Sequence, residues 1–302
     1  MLQTNQNSVL KIEAPSDFKF QECLVFLGRS DKEILHHIEN DSLYKLIKLK
    51  DQHILLKISI EENTLIIEFP DEKPVNEDTE KISEYVTEYF DLKRDLSDFY
   101  KIASNDQVLK RTVAGHKGLR IIGIPDLFEA LTWAIMGQQI NLAFAYTIKS
   151  RFVEKYGEKL EYDGRTFWLY PSYEKIAALK EDDLRKLQFT TRKAEYVIHT
   201  AKLMAAGELS KENLLTLQDL DEQRDALIKL RGVGAWTADY VSMKCLLQPG
   251  AFPIADVGLH NAIKIQLGLD AKPGPEEIMN LAKNWSGWEA YATFYLWRSL
   301  YE

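Results

Sequence analysis

Two cysteines, Cys23 and Cys245, are all that the 302 residues contain. So few exclude a disulfide framework, a four-cysteine zinc site and a cysteine-ligated iron–sulfur cluster. They are expected to be two small buried hydrophobes. Long apolar runs are missing too: none approaches the roughly 20 residues a membrane-spanning helix needs, so no membrane partner is expected. The opening MLQTNQNSVLKIEAP has no basic stretch followed by an apolar one. No secretory leader is therefore expected, and the protein should act in the cytoplasm, alongside the chromosome if its partner is DNA. The histidines show no HExxH or similar ligand spacing, so no metal is expected.

An excess of basic charge is also lacking. The net charge of −8 argues against a polyanionic partner until it is divided along the chain. Residues 1–100 carry a net −9, whereas the other 202 residues carry +1. The acid is confined to the first third, and the larger part is free to meet nucleic acid.

The length suits two domains. In the first third, Tyr44–Lys50, His53–Ile60 and Thr64–Phe69 are short, β-branched and partly alternating, with tight connections between them. They predict an antiparallel meander, with a helix over about Asp31–Glu39 before it. The acidic, proline-containing Pro70–Glu80 reads as the linker out of this domain. Helical periodicity dominates from Thr79 onward, interrupted by Asp163-Gly164 between alternating segments, the signature of a small hairpin. The expected architecture is an acidic α+β domain with an antiparallel sheet over residues 1–78, followed by a mostly α-helical domain over 79–302.

Within the helical part, KLRGVGAWTADYV (Lys229–Val241) places two glycines around one valine. Glycine in a helix interior costs about 1 kcal/mol relative to alanine, so the pair marks a break. A helix ends near Leu230, the chain reverses through Gly232-Val233-Gly234, and a new helix starts at about Ala235. The start of a helix leaves N–H groups unpaired at the positive end of its dipole, a natural seat for phosphate. Lys229, Arg231 and Lys244 are candidates for electrostatic support. The spacing is not that of a nucleotide P-loop. A tight αα-hairpin whose glycines only relieve sterics is the competing reading. About 20 residues on, Asp256 follows Pro253 at the start of another helix. It reads as an N-cap, and a carboxylate beside a phosphate seat can also serve as a catalyst.

L-x-G-V-G-x-x-T-A followed by P-x-x-D resembles the helix-hairpin-helix DNA glycosylases with a Gly/Pro-rich loop and catalytic aspartate. ALTWAIMGQQINLAFA (Ala130–Ala145), Thr190–Leu209 and Trp285–Tyr301 resemble the DNA-3-methyladenine glycosylase II branch, and the resemblance covers essentially the whole chain. It implies that Asp256 is the catalytic aspartate and that Arg231, Gly232, Val233, Gly234, Ala235 and Thr237 form the phosphate-binding hairpin. Gln138 and Gln139 match the turn that fills the gap left by an extruded nucleotide. Trp236, Tyr240 and Trp297 match aromatic positions of the base pocket, and Leu24 an N-terminal wall.

Val257 departs from the aromatic that follows the aspartate in alkylbase enzymes, and the Gln138-Gln139 tip does not end in an apolar wedge. Trp236 stands where bifunctional relatives such as 8-oxoguanine glycosylase carry a lysine. The implied activity is monofunctional removal of alkylated purines from duplex DNA containing damaged bases, by a monomer without a cofactor. The hairpin carbonyls are candidates to hold a monovalent cation against a bound phosphate. An oxidised-purine glycosylase and a non-catalytic DNA-binding module remain as alternatives. The acidic N-terminal domain is also open to docking a protein partner, although no interaction motif marks it.

Overall fold

The computed structural model describes residues 9–74 and 78–301. Residues 1–8 of the opening segment and residues 75–77 of the acidic connection lie outside the described residues.

After β1 (Leu10–Glu13) the chain forms α1 (Phe20–Leu27), then β2 (His37–Glu39), β3 (Ser42–Leu49), β4 (Gln52–Glu61) and β5 (Thr64–Glu68). The strands make one antiparallel sheet in the order β1-β5-β4-β3-β2. The predicted meander is β3–β5, with Leu43 opposite Ile58, Leu46 opposite Leu55, and Ile58 opposite Ile67. The helix predicted over Asp31–Glu39 is not formed. Glu33 Oε1 instead accepts from the N–H groups of Ile34 and Leu35, its other oxygen pairs with buried Lys149 at 2.7 Å, and the chain runs on into β2. The helix of this region is α1, whose FQECLVFL is apolar apart from Gln21 and Glu22 and too short for a period to be read from it.

Helices follow as α2 (Thr79–Tyr89), α3 (Ser97–Asn105), α4 (Leu109–Gly115), α5 (Leu127–Gly137) and α6 (Leu142–Tyr156). The hairpin of β6 (Glu158–Tyr162) and β7 (Arg165–Leu169) turns at Asp163 and Gly164, both at positive φ as a tight two-residue turn requires. Then come α7 (Tyr173–Ala177), α8 (Glu181–Arg185), α9 (Thr191–Ala205), α10 (Lys211–Leu215), α11 (Leu220–Ile228), α12 (Ala235–Lys244), α13 (Val257–Leu267), α14 (Pro275–Ala282) and α15 (Glu289–Arg298). An antiparallel-sheet part is thus followed by a helical one. Among the described residues, no helix is long and apolar enough to cross a membrane.

Alternation along β3 and β4 sends Leu43, Ile47, Ile54, Leu56 and Ile58 to one face of the sheet and Leu46 and Leu55 to the other. The first face joins α1–α4, α13 and α15 in the largest core, which runs without a break across residue 78. The second is covered by Phe167 of the β6–β7 hairpin, and ion pairs fasten the cover. Glu158 meets Lys48 at 2.8 Å and His53 at 2.7 Å, and Arg165 takes Glu39 in a bidentate pair at 2.6 Å. Two further cores lie among α5–α9 and between α5 and α10–α12, and a small aromatic cluster gathers residues of α5, α6 and α12.

Candidate active site

The break at Gly232 and Gly234 has two different causes. Gly232 has φ +90°, and a Cβ there would lie 2.2 Å from the Tyr196 ring of α9. Only glycine fits both the backbone and the space. Gly234, by contrast, has φ −96° and opens α12 as its N-cap, with nothing within 4 Å of where a Cβ would stand. It supplies no side-chain acceptor to the N–H groups of the first turn, which therefore point outward unpaired. The turn is held from behind. Gln138 donates through Nε2 to the Gly232 carbonyl at 2.9 Å and to Thr237 Oγ1 at 3.0 Å. Arg224 of α11 pairs with Asp239 of α12 at 2.6 Å, Val233 is buried in the α10–α12 core, and Thr237 is buried as well. Ala235 and Lys229 are exposed, and exposed Arg231 is paired with Glu195 at 2.6 Å.

Lys244, offered as phosphate support, is not on this surface. It ends α12, roughly 14 Å from the hairpin at 1.5 Å per residue. Its ammonium donates to the Ile122 carbonyl and lies over the rings of Phe294 (4.7 Å) and Phe26 (5.5 Å). Burial pushes its pKa well below the usual lysine range.

Gln138 and Gln139 sit at the turn between α5 and α6. With the Gln138 side chain committed to the hairpin, exposed Gln139, at φ +55°, is the tip residue that remains free to project. Lys193 of α9 holds this turn from below, donating to the carbonyls of Met136 and Gln138, each at 2.7 Å.

Asp256 is the N-cap of α13, as its position predicts, and its Oδ1 accepts from the Leu259 N–H at 2.8 Å. Two indoles complete its surroundings. Trp297 of α15 donates through Nε1 to Oδ1 at 2.8 Å, and Trp236 of α12 donates to Oδ2 at 3.2 Å. A carboxylate accepts about four hydrogen bonds, so Oδ2 keeps capacity for one more partner. The crowding at Oδ1 is possible only because Gly258 follows. A Cβ at that position would stand 2.9 Å from Oδ1 and 3.3 Å from Trp297. Val257, which follows the aspartate, is 62 % exposed.

Tyr240 lies between the two tryptophans, its ring centroid 5.5 Å from Trp236 and 6.1 Å from Trp297. Its hydroxyl accepts from Trp133 Nε1 at 2.9 Å, and burial raises its pKa. Trp236, Tyr240, Trp297 and Asp256 are thus brought together from two helices, α12 and α15, and the cap of a third, α13. Leu24 is not part of this group: it is buried in the sheet-side core, whereas Phe26 and Arg29 of the same segment line the cavity behind Tyr240. Gly258, Trp133, Lys193 and Tyr196 were not singled out from the sequence. Of these only Gly258, a glycine at the second position of an otherwise regular helix, left a readable sign. Among the described residues no cluster of three His, Cys, Asp or Glu side chains could hold a metal, and both cysteines are free and buried.

This geometry coincides with a family pattern. The model of the HhH-GPD superfamily of base excision DNA repair proteins matches residues 132–287. The chain belongs to that superfamily. The N-terminal domain model of 8-oxoguanine DNA glycosylase matches residues 11–131. Among relatives, the protein named DNA-3-methyladenine glycosylase in Bacillus subtilis (strain 168) is 45 % identical over 298 residues, 98 % of each chain. DNA-3-methyladenine glycosylase 2 of Escherichia coli (strain K12) is 29 % identical over 209 residues, covering 67 % of this chain and 69 % of its own. Among solved structures, the 3-methyladenine DNA-glycosylase from Archaeoglobus fulgidus superposes with a TM-score of 0.82 at 22 % identity, over 95 % of this chain and 97 % of that one. The 8-oxoguanine glycosylase/lyase of Clostridium acetobutylicum, in its apo-form, superposes with 0.74 at 22 % identity, over 98 % and 97 %. At such identities both structures share the HhH-GPD fold with this chain and say nothing of its substrate.

Proposed function

We propose that this protein is a monofunctional DNA glycosylase that hydrolyses the N-glycosidic bond of alkylated purines, of the 3-methyladenine type, flipped out of duplex DNA. The observation that carries the reading is the Asp256 carboxylate, gripped by the Trp236 and Trp297 indoles at the mouth of an aromatic stack. The Bacillus subtilis relative, 45 % identical along nearly its whole length, supports the alkylated-purine class.

A base within the duplex is out of reach, and rotating it out costs a few kcal/mol, least for a damaged base that pairs poorly. The open N–H groups after Gly234 hold a strand phosphate, and Gln139 enters the gap. The extruded base stacks against Trp236, Tyr240 and Trp297, where a cationic methylpurine gains about 0.5–2 kcal/mol from ring faces. As the C1′–N bond lengthens, positive charge grows on the sugar, and the Asp256 carboxylate stabilises it. Its free Oδ2 position orients the attacking water. With Trp236 in place of an amine, no Schiff base forms and the strand stays intact.

The sheet-side match to an 8-oxoguanine glycosylase domain favours an oxidised-purine enzyme as the second reading, and the absence of that amine speaks against it. The enzyme acts as a monomer inside the cell, and the division between its two domains falls after residue 78, where α2 begins at Thr79.

The test is base release from methylated duplex DNA by wild type and Asp256→Asn. Asparagine caps helices as well as aspartate, so the fold should hold. Removal of the charge should slow release by about 10²–10³-fold, the usual loss for one preorganised electrostatic group. Duplex binding without release in either protein would leave a DNA-binding module. Release of 8-oxoguanine with strand cleavage would establish the second reading.

A further inference from the structure

Asp256 stands at one end of a closed circuit of rings, and Arg29 at the other. One route runs from Asp256 through Trp236, Tyr240 and Trp133 to Tyr146, whose ring lies 5.7 Å from the Arg29 guanidinium. The other runs through Trp297 and Phe294 to Phe26, where the guanidinium sits 4.1 Å from the ring centroid. Arg29 Nη1 donates to the Phe26 carbonyl at 2.8 Å. Arg29, Phe26, Trp133, Tyr146 and Tyr240 together line a cavity of about 60 Å³. That is room for two waters, or for the polar edge of a base whose rings stack outside it.

Three lysines share this cavity with Arg29. Lys149 is paired with Glu33 at 2.7 Å, Lys45 lies over the Tyr89 ring at 5.4 Å, and buried Lys244 is held toward its neutral form by burial. A guanidinium cannot be neutralised in the same way. Arg29 is therefore a permanent positive charge in a recess that Phe26, Trp133, Tyr146 and Tyr240 line together with Glu33 and Glu129, and away from bulk water charge acts more strongly.

A cationic methylpurine gains nothing from such a neighbour. A neutral oxopurine does. We infer that Arg29 is a specificity-determining residue: it receives the carbonyl edge of a neutral purine and stabilises the negative charge that this base carries as it leaves. The inference rests on the glycosylase reading. When the C1′–N9 bond of a neutral purine breaks, its electron pair stays on the base and spreads to the carbonyl oxygen. Water forms the new C1′–O bond, and the proton it loses ends on the departed base. A cationic methylpurine instead leaves as a neutral base, and the water proton goes to solvent.

The experiment compares single-turnover release of hypoxanthine and of N7-methylguanine from duplex DNA by wild type, Arg29→Met and Arg29→Lys. Wild type should release both. In Arg29→Met the ratio of hypoxanthine to N7-methylguanine release should fall at least tenfold, and Arg29→Lys, which keeps a positive charge, should recover part of it. Should Arg29→Met fail to fold, Arg29→Gln removes the charge while keeping a donor for the Phe26 carbonyl, and the same fall is expected. Equal losses on both substrates, with no recovery in Arg29→Lys, would mean that Arg29 only supports the fold. A wild type that releases N7-methylguanine but no hypoxanthine overturns the inference and leaves the glycosylase reading standing. A wild type that releases neither overturns both.

Discussion

Gly258 shows how closely the carboxylate is fitted. Its Cα lies beside the point where the Trp297 N–H meets Asp256 Oδ1, and a methyl there would intrude on both. Alanine is the better helix former by about 1 kcal/mol, so Gly258→Ala should leave thermal stability close to that of wild type. Base release should nevertheless fall at least tenfold, because the carboxylate and the indole must part to admit the methyl. Unfolding temperature and single-turnover rate, measured together, check the two halves of that expectation. Asp256 itself was readable from the sequence, since Pro-x-x-Asp at a helix start announces a cap. The indoles that grip it were not readable as such: Trp236 and Trp297 lie 61 residues apart, and only the meeting of α12 with α15 turns two helix aromatics into hydrogen-bond donors to one carboxylate.

In the hairpin, the two glycines should separate cleanly by experiment. Gly232→Ala places a Cβ inside the Tyr196 ring's radius at a positive φ. The backbone conformation alone costs about 1–2 kcal/mol and the overpacking adds about 1–3, so a loss beyond about 2 kcal/mol is expected in urea unfolding. Gly234→Ala meets open space at an ordinary φ and should be neutral or slightly stabilising. Its methyl stands before the unpaired N–H groups, and affinity for duplex DNA should drop about tenfold or more. Unchanged affinity would remove the phosphate from that seat.

The α11–turn–α12 unit was legible because glycine spacing and helix periodicity agree locally. The stretch Asp31–Glu39 was misread because its helical periodicity is real but is overridden from a distance. Glu33 gains more from Lys149 and two adjacent N–H groups than a helix would give it. The α1 helix was hidden for the opposite reason, its apolar run being compatible with any buried element. Lys244 is the far end of α12, nine residues beyond its start at Ala235, too far along the helix axis to reach the hairpin.

Over the whole molecule, acid should loosen the junction between α1, the sheet and α6. His36 is buried, bonds the Leu27 carbonyl through Nε2, and has its pKa pushed down to about 4, chiefly by burial. It faces Glu33, Lys45 and Lys149. Unfolded, it takes up a proton near pH 6.5, whereas folded it does so only near pH 4. The stability it protects is thus complete above the upper value and disappears as pH falls through the window, on the order of 3 kcal/mol in all. At Glu33, burial alone would raise the carboxyl, but Lys149 outweighs it and holds the pKa below the usual range. That contribution is lost at still lower pH. The unfolding temperature should therefore decline from about pH 6.5 to about pH 4, and His36→Gln should flatten the decline. A wild-type unfolding temperature that stays level across that window would mean that the imidazole is solvated.

The continuous core has a further consequence, for the order in which the chain is made. Phe26 of α1 finds its closest ring partner, at 4.4 Å, in Phe294 of α15. The buried face of the first helix is thus completed by the last, and the β6–β7 clasp on the sheet comes from the middle of the chain. A ribosome delivers the sheet long before either cover exists. The nascent N-terminal part must wait with Leu46, Leu55 and Phe26 unshielded, a long-range closure of the kind that slows folding and invites association with other chains. Emergence of α15, rather than completion of the sheet, is the moment at which this core can first close, and holdase chaperones should engage the first hundred residues during synthesis.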